Sequence, residues 1–570
     1  MTHPWEASYP PALNWAMPPQ NIPVFKLLDD ATAASPERAV IDFLGRRYTY
    51  AEIRAEVDRV ASGLQQQGIG KGHHVGLCLP NCPHFVIAYY AILKAGATVV
   101  NFNPLYTAEE LHHQINDSGV KWMFAVNIEP IWGKVQHALH SADSTLEHIV
   151  LCPLADGMPR LTAWAFKLLQ WRKLSTKTGA GVHAFKTLGK PGARPTSVAV
   201  DPAQDVAVIQ YTGGTTGRPK GALLTHRNIA SNTEQIRLWL GDVPEGGDRY
   251  LAVLPLFHAF AMTVQMNMCI ANRSEMILLP RFDLKTMLKT IKRCRPTLLP
   301  GVPTLFKALA DAPDIDRYDL SCLRFCIAGG APLPQQIKQQ FEQLTGCRLV
   351  EGYGLSEASP VVTCNPRHND GKSGSIGLPL PGTEVTLRDP QDPTKAPKAD
   401  TPGEICLRGP QVMKGYLNNP EEATPTLLAD GWLRTGDVGH MDADGYFFIT
   451  DRLKEIIVCS GYNVYPRLIE DVFYKHPDVD EVVVIGIPDA YRGEAPKAFI
   501  KLKADSKTTH EMLMAYAHEH LNPIERPAAI ELRAELPKTL IGKLSKKELI
   551  AEEQQKQSQN HSAPTKESHQ

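Results

Sequence analysis

The chain has 570 residues, which at about 150 residues per domain is room for three or four units and far beyond a small binding module. Its 43% hydrophobic and 21% charged residues match globular averages and exclude wholesale disorder. Sixty Lys and Arg against 61 Asp and Glu leave a net charge of −1, which excludes a protein that works by coating nucleic acid. Any electrostatic attraction to a partner must be local.

After a Pro-rich lead, residues 39–43 and 47–50 read as a hairpin and 50–67 as a helix. Strand 75–79, helix 83–95, strand 98–102, helix 109–118 and strand 122–126 then alternate. This pattern predicts parallel sheet with helices on its faces, and it resumes from Val206. Between them, residues 157–200 hold eight Lys or Arg and no Asp or Glu. Within that segment Leu161, Trp164, Ala165, Leu168 and Trp171 fall near helical spacing, flanked by Arg160, Lys167, Arg172 and Lys173. Residues 158–177 therefore suit an anionic membrane surface, or equally a helix packing its stripe on the body. Both readings stay open.

The uncharged stretch 250–272 is long enough to span a bilayer. Pro255, His258, Gln265, Asn267 and Asn272 make it a buried strand, loop and helix instead. Residues 361–407 are rich in Gly, Pro and β-formers. Beyond a boundary at 451–454, helix 468–475, strands 481–487 and 498–502, and helix 511–521 form a small α+β unit. The fold class expected is α/β. It has a large N-terminal domain (25–450) of parallel-sheet subdomains plus a β-rich subdomain, then a small α+β C-terminal domain (455–550). The polar tail 551–570 is expected to be disordered. Eleven cysteines without a CxxC pair signal no zinc ribbon, and the opening residues show no secretory pattern. The compartment expected is cytoplasmic.

The strongest local signal is Tyr211-Thr212-Gly213-Gly214-Thr215-Thr216-Gly217-Arg218-Pro219-Lys220-Gly221, following strand 206–210. Its glycines let backbone amides approach phosphate oxygens, and the threonine hydroxyls and Lys220 add donors and positive charge. It is not the common P-loop, which needs GK[ST] after its glycines.

With this motif the sequence resembles the adenylate-forming superfamily, and within it the bacterial long-chain fatty acyl-CoA ligases, over roughly residues 25 to 550. Leu254-Pro255-Leu256-Phe257-His258, Glu351-Gly352-Tyr353-Gly354-Leu355-Ser356-Glu357, Thr435-Gly436-Asp437, Asp451-Arg452-Leu453-Lys454 and Pro537-Lys538-Thr539-Leu540-Ile541-Gly542-Lys543 stand in the family's order and spacing. The resemblance implies ligation of a long- or medium-chain fatty acid to CoA through an acyl-adenylate, with ATP and CoA as co-substrates and Mg²⁺ as cofactor. Lys543 and Glu357 would be catalytic, with Thr212 and Glu357 at the metal. ATP would meet Thr212, Gly213, Gly214, Thr215, Thr216, Gly217, Lys220, Gly330, Ala331, Pro332, Glu351, Tyr353, Gly354, Ser356, Asp437 and Arg452. Lys454 would be the hinge of a mobile C-terminal domain and Gly461 would line the CoA channel. His258 and Met262 would face the acyl group. Met262 stands where some long-chain members carry a gating tryptophan, and Ser356 replaces the usual threonine.

Two rivals remain. One keeps adenylation but takes an aryl or other acid, or loads a carrier protein; the other is a non-catalytic membrane-surface binding protein. The membrane reading would place the protein peripherally on the inner face of the cell membrane. Similar enzymes include homodimers, but the sequence carries no interface signal.

Overall fold

The computed structural model describes residues 3–561 except 12, 176–178, 213–218, 242–246, 369–370, 399–400, 420–425, 461, 490 and 540–542, with residues 557–561 described by backbone alone. The contacts divide the chain into two units. The first takes Met1–Val385, Leu407–Arg434 and Ala443–Tyr446; the second takes Thr386–Cys406, Thr435–Asp442 and Phe447–Gln570. The second unit thus begins ahead of the expected 451–454 boundary and includes the β-rich residues 386–406.

The first unit holds two large sheets. One has seven strands in the order Val182–Ala184, His148–Cys152, Trp122–Val126, His74–Cys78, Thr98–Asn101, Val206–Thr212 and Lys220–Thr225. All its pairings are parallel except the last. The other has nine strands, with a parallel centre from Ala39–Phe43 to Arg348–Gly354 and antiparallel strands at both edges. The expected alternation of strands and helices is therefore the scaffold. Its helices start where side chains can satisfy their first amides. Thr49 accepts from the Glu52 amide at 3.2 Å while Glu52 accepts from the Thr49 amide at 2.8 Å. Helix Pro83–Lys94 buries every residue but its terminal lysine.

The uncharged stretch 250–272 becomes strand Arg249–Ala252, a π-helix Ala261–Asn267 and helix Met268–Ala271, with Thr263, Gln265 and Asn267 fully buried. Most of their polar groups are met inside the protein: Gln265 donates to the Pro300 carbonyl at 3.2 Å, Asn267 accepts from Tyr90 at 2.7 Å and Thr263 donates to the Ser359 carbonyl at 2.7 Å, while the Gln265 oxygen is buried without a partner. Among the described residues, no helix is long and apolar enough to cross a membrane. All eleven cysteines are free.

The basic segment resolves one of the open readings. Helix Arg160–Leu169 buries none of its residues. Ala163 and Phe166 are half-buried, whereas Leu161 is 84% and Trp164 68% exposed, with Leu168, Leu169 and Trp171 also exposed. Apart from half-buried Ala165, the stripe does not pack on the body.

A four-stranded sheet, Glu384–Arg388, Gly403–Arg408, Leu433–Met441 and Phe447–Arg452 in that order, has most of its residues in the second unit. That unit also carries a five-stranded sheet, in which Val479–Asp489 pairs antiparallel with Gly493–Leu502. Helices Pro466–Tyr474 and His510–His520 bury Ile469, Phe473, Leu513 and Ala517 in its core. Of the tail 551–570 expected to be disordered, residues 551–561 instead complete the helix Lys546–His561, and the rest lies outside the described residues. The Glu, Gln and Lys residues of this helix are good helix formers, and ion pairs fasten it: Glu552 to Arg533 at 2.6 Å and Glu553 to Lys497 at 2.9 Å.

Candidate active site

Thr212 ends strand Val206–Thr212 and lies opposite Lys220 across the antiparallel ladder. Gly213, Gly214, Thr215, Thr216 and Gly217, expected at the phosphates, lie outside the described residues, as does Gly461. Turn Ser356–Ala358 packs against both strands of this ladder. There the Glu357 carboxylate accepts from the Tyr416 hydroxyl at 2.8 Å. Tyr416 is carried by a short segment that bonds on one side to the 220–225 strand, with Leu417 donating to the Gly221 carbonyl at 2.8 Å. On its other side Met413 donates to the Glu357 carbonyl at 2.8 Å. The Lys220 ammonium lies 5.5 Å from the centre of the Tyr416 ring. The structure therefore brings Lys220, Glu357 and the end of the Thr212 strand together through Tyr416. Sequence reasoning missed Tyr416; the available signal was the Lys414-Gly415-Tyr416 run.

The other expected nucleotide residues line adjoining strand ends. Gly330, at φ 82°, follows strand Phe325–Gly329 and opens the turn through Ala331 and Pro332. Glu351 is buried on the neighbouring strand and accepts from the Leu333 amide at 3.2 Å, so its carboxylate braces that turn. Tyr353 pairs with Thr363 across the antiparallel edge and is half-buried. Gly354 has no room for a side chain, because a Cβ there would stand 2.0 Å from the Pro360 carbonyl oxygen. Ser356 opens the turn, and Leu355, which precedes it, contributes no side-chain cap.

The acyl candidates separate. His258 is half-buried and its Nδ1 accepts from the Phe260 amide at 3.3 Å. Met262 is fully buried, with its sulfur 3.6 Å from Asn101 Nδ2. Asn101 also donates to Gln210 at 3.1 Å, and Gln210 donates to the Phe257 carbonyl at 3.1 Å. This buried chain fixes the segment 257–262 to the sheet that carries Thr212; sequence reasoning missed it too, because the Asn and Gln lie far apart in the chain.

In the second unit, Asp437 and Arg452 are register partners across an antiparallel pair, and Arg452 Nε lies 3.0 Å from the Asp437 carboxylate. The arginine side chain is 57% exposed and the aspartate 6%. Gly436, at φ 73°, donates to buried Glu404 at 3.0 Å, and the Asp437 amide donates to Thr435 at 3.0 Å, which shape the turn. Lys543 sits on a loop closed by the Thr539 amide on the Lys543 carbonyl at 2.6 Å. Burial pushes its ammonium down to about 8; the nearby Arg452 cation adds to this and Asp437 opposes it. Lys454 is exposed in turn Leu453–Glu455.

As a metal site, Thr212 and Glu357 offer a hydroxyl and a carboxylate, hard oxygen donors of the kind Mg²⁺ takes in small number beside phosphates and water. Among the described residues no group of three or more His, Cys, Asp or Glu could hold a metal by itself, so the donor set fits an ion completed by substrate oxygens.

The mixed α/β scaffold with its C-terminal domain is that of the adenylate-forming enzymes. The chain belongs to the AMP-binding enzyme family: the family model matches residues 28–417, and that of the AMP-binding enzyme C-terminal domain matches 468–543. A long-chain-fatty-acid–CoA ligase of Bacillus subtilis (strain 168) is 43% identical over 555 residues, covering 96% of this chain and 98% of that protein. Among solved structures, ATP-bound MatB from Rhodopseudomonas palustris has a TM-score of 0.79 at 29% identity, covering 93% of this chain and 98% of its own. An anthranilate CoA ligase in complex with anthranoyl-AMP reaches 0.83 at 25% identity, covering 96% and 100%.

Proposed function

We propose that the protein ligates a long-chain fatty acid to coenzyme A, forming acyl-CoA, AMP and pyrophosphate through an acyl-adenylate. The observation that carries this reading is the Lys543 ammonium, half-buried on its loop and facing the Asp437–Arg452 pair. The long-chain substrate is supported by the 43% identical relative of that name.

A free carboxylate is a poor acyl donor because its leaving group would be oxide. Attack of a carboxylate oxygen on the α-phosphorus of ATP expels pyrophosphate and leaves AMP as a good leaving group on the acyl carbon. This brings anion against anion, so a positioned cation at the joining oxygens lowers the barrier. Lys543 serves there as a compact point charge. Asp437 accepts from the ribose hydroxyls, Arg452 donates at the same sugar, and Tyr353 lies along the adenine beside Gly330, Ala331 and Pro332. Thr212 and Glu357 would hold Mg²⁺, which when bound neutralises phosphate charge. In the second half-reaction the CoA sulfur attacks the acyl carbonyl and AMP departs. Rotation of the C-terminal domain about Lys454 would exchange the Lys543 loop for the face carrying Gly461, which separates the two steps in time. His258 faces the acyl carboxylate. Buried Met262 lines the wall rather than acting as a gate.

The test is pyrophosphate release from ATP with a panel of acids, with and without CoA. Palmitate-dependent release and CoA-dependent thioester are expected. Release only with aryl acids would keep the mechanism and overturn the substrate; turnover with a carrier protein but not CoA would overturn the acceptor.

We also read helix Arg160–Leu169 as contacting an anionic lipid surface from the cytoplasmic side, which would supply an amphipathic substrate where it accumulates. The supporting observation is that Leu161, Trp164, Leu168 and Leu169 face solvent, each worth about 1.5–3 kcal/mol when withdrawn from water. Arg160 and Lys167 stand beside them, and Arg172 lies over Trp171 at 5.2 Å. Co-sedimentation with vesicles containing phosphatidylglycerol should exceed that with phosphatidylcholine alone and fall in Leu161→Gln/Trp164→Gln/Leu168→Gln. Unchanged partitioning of that variant would sink this reading.

A further inference from the structure

Three residues beyond Lys543, Lys546 opens the helix Lys546–His561. Its ammonium lies 2.7 Å from Glu455 and 3.3 Å from Glu470, and all three side chains are about four-fifths withdrawn from solvent. Each carboxylate belongs to a different element. Glu455 ends the turn Leu453–Glu455, directly after Lys454. Glu470 lies on helix Pro466–Tyr474 and also accepts from the Val484 amide at 2.8 Å, which ties that helix to strand Val479–Asp489.

A third carboxylate faces the same cation. Asp451 is buried and accepts from the amides of Arg452 at 2.8 Å and Arg467 at 2.9 Å. Burial pushes it up to about 6, with Lys546 and these two amides opposing and Glu470 adding to the rise. Burial alone would depress the Lys546 ammonium, but Glu470, Glu455 and Asp451 together hold it well above the ordinary lysine value. One ammonium thus neutralises a cluster of carboxylates that would otherwise repel one another at short range in a poorly solvated place.

The other foot of the Lys543 loop is fastened in the same way. Lys538 bonds Glu481 at 2.6 Å, and the Ser545 amide donates to the Pro537 carbonyl at 2.8 Å, which closes the base of the loop. The loop therefore stands between two lysine–glutamate clasps. One clasp reaches the strand Val479–Asp489; the other reaches the turn beside Lys454.

A lysine side chain is flexible and directs charge only as well as its backbone is held. Resting on the reading that Lys543 serves adenylation and Lys454 is the pivot, we propose that Lys546 is a positioning residue for the first half-reaction, its clasp on Glu455 and Glu470 fixing the Lys543 loop to the segment beside the pivot. Lys546 touches neither substrate nor the reacting atoms. Its removal lets the loop shift by the ångström or so that costs a positioned catalyst rate without costing binding. The second half-reaction, which does not use Lys543, has no need of the clasp.

The experiment compares Lys546→Met, Lys546→Arg, Lys543→Ala and Lys543→Ala/Lys546→Met in ATP–pyrophosphate exchange and in thioester formation from preformed palmitoyl-adenylate plus CoA. Lys546→Met should lower the exchange kcat about ten-fold with KM values for ATP and palmitate within about two-fold. Thioester formation should be unchanged, and Lys546→Arg should restore most of the exchange. The double variant should be no slower than Lys543→Ala alone, since Lys546 acts only through Lys543. Unchanged exchange in Lys546→Met, equal losses in both half-reactions, or a further loss in the double variant would each overturn the proposal. Full exchange in Lys543→Ala would instead overturn the role of Lys543, and the positioning role with it, by a result read from that variant alone.

Discussion

Around Glu357 the first unit gathers oxygen: a carboxylate, the Tyr416 hydroxyl bonded to it at 2.8 Å, and the strand that ends in Thr212. Around Lys543 the second unit gathers charge: a lysine loop facing an arginine–aspartate pair 3.0 Å apart. The first cluster is built on backbone ladders that bring its oxygen donors together. The second relies on burial, which alters the acid strength of its central lysine. A carboxylate attacking a triphosphate needs both kinds of neighbour, and the protein builds them by different means.

The largest expected effect comes from emptying the cationic region. Lys543→Ala should slow adenylation by about 10²–10³-fold, the range for losing one aimed donor at developing charge. Thioester formation from preformed acyl-adenylate should survive. Lys543→Arg should rescue poorly, because a planar fork does not replace a point charge. Equal loss of both half-reactions would break the comparison, since the cation would then serve general folding.

Next is the oxygen region. Glu357→Gln preserves the shape and an acceptor for Tyr416 but removes the charge. It should lower pyrophosphate release about 10²-fold and raise the Mg²⁺ concentration needed for half-maximal rate. A rate loss with an unaltered Mg²⁺ titration would take the metal away from Glu357.

A pH profile sharpens the contrast. The Lys543 ammonium is lowered to about 8 from the ordinary 10.5, with Arg452 and Asp437 facing it. The protonated form is the one that neutralises, so adenylation should be full below that value and fall as pH rises through about 8. Asp437→Asn removes the group that opposes the depression, so the falling limb should move to lower pH. A limb that stays in place would separate Lys543 from the Asp437–Arg452 pair.

Much of this was legible in the sequence because the residues concerned sit in contiguous motifs. Asp437 and Arg452 were each readable, and the antiparallel register then made them partners. The strand–helix alternation that predicts parallel sheet depends on local periodicity, and it appears as the two large sheets. What could not be read depends on long-range pairing. The Asn101–Gln210–Phe257 chain joins residues more than a hundred positions apart at its first link. The orientation of helix Arg160–Leu169 was likewise open, because periodicity shows that an apolar face exists and not what it faces. Residues 551–561 misled for a related reason: their polar composition resembles disorder, while ion pairs of Glu552 to Arg533 and Glu553 to Lys497 fasten the helix they continue.

The smallest expected effect concerns Tyr416, which touches Glu357 through one neutral-to-charged hydrogen bond. Tyr416→Phe keeps the ring beside Lys220 and removes only the hydroxyl. A bond of this kind is worth about 1.5–3 kcal/mol when fully buried, and the half-exposed setting of both residues reduces it. The rate of adenylation should therefore fall only a few-fold, with the Mg²⁺ requirement rising in the same direction as for Glu357→Gln. Once Glu357→Gln has removed the carboxylate, the Tyr416 hydroxyl has none left to orient, so adding Tyr416→Phe should leave the rate at that of Glu357→Gln. Additive losses would mean that Tyr416 meets the nucleotide itself, and the oxygen region would then extend one residue further than the bond to Glu357.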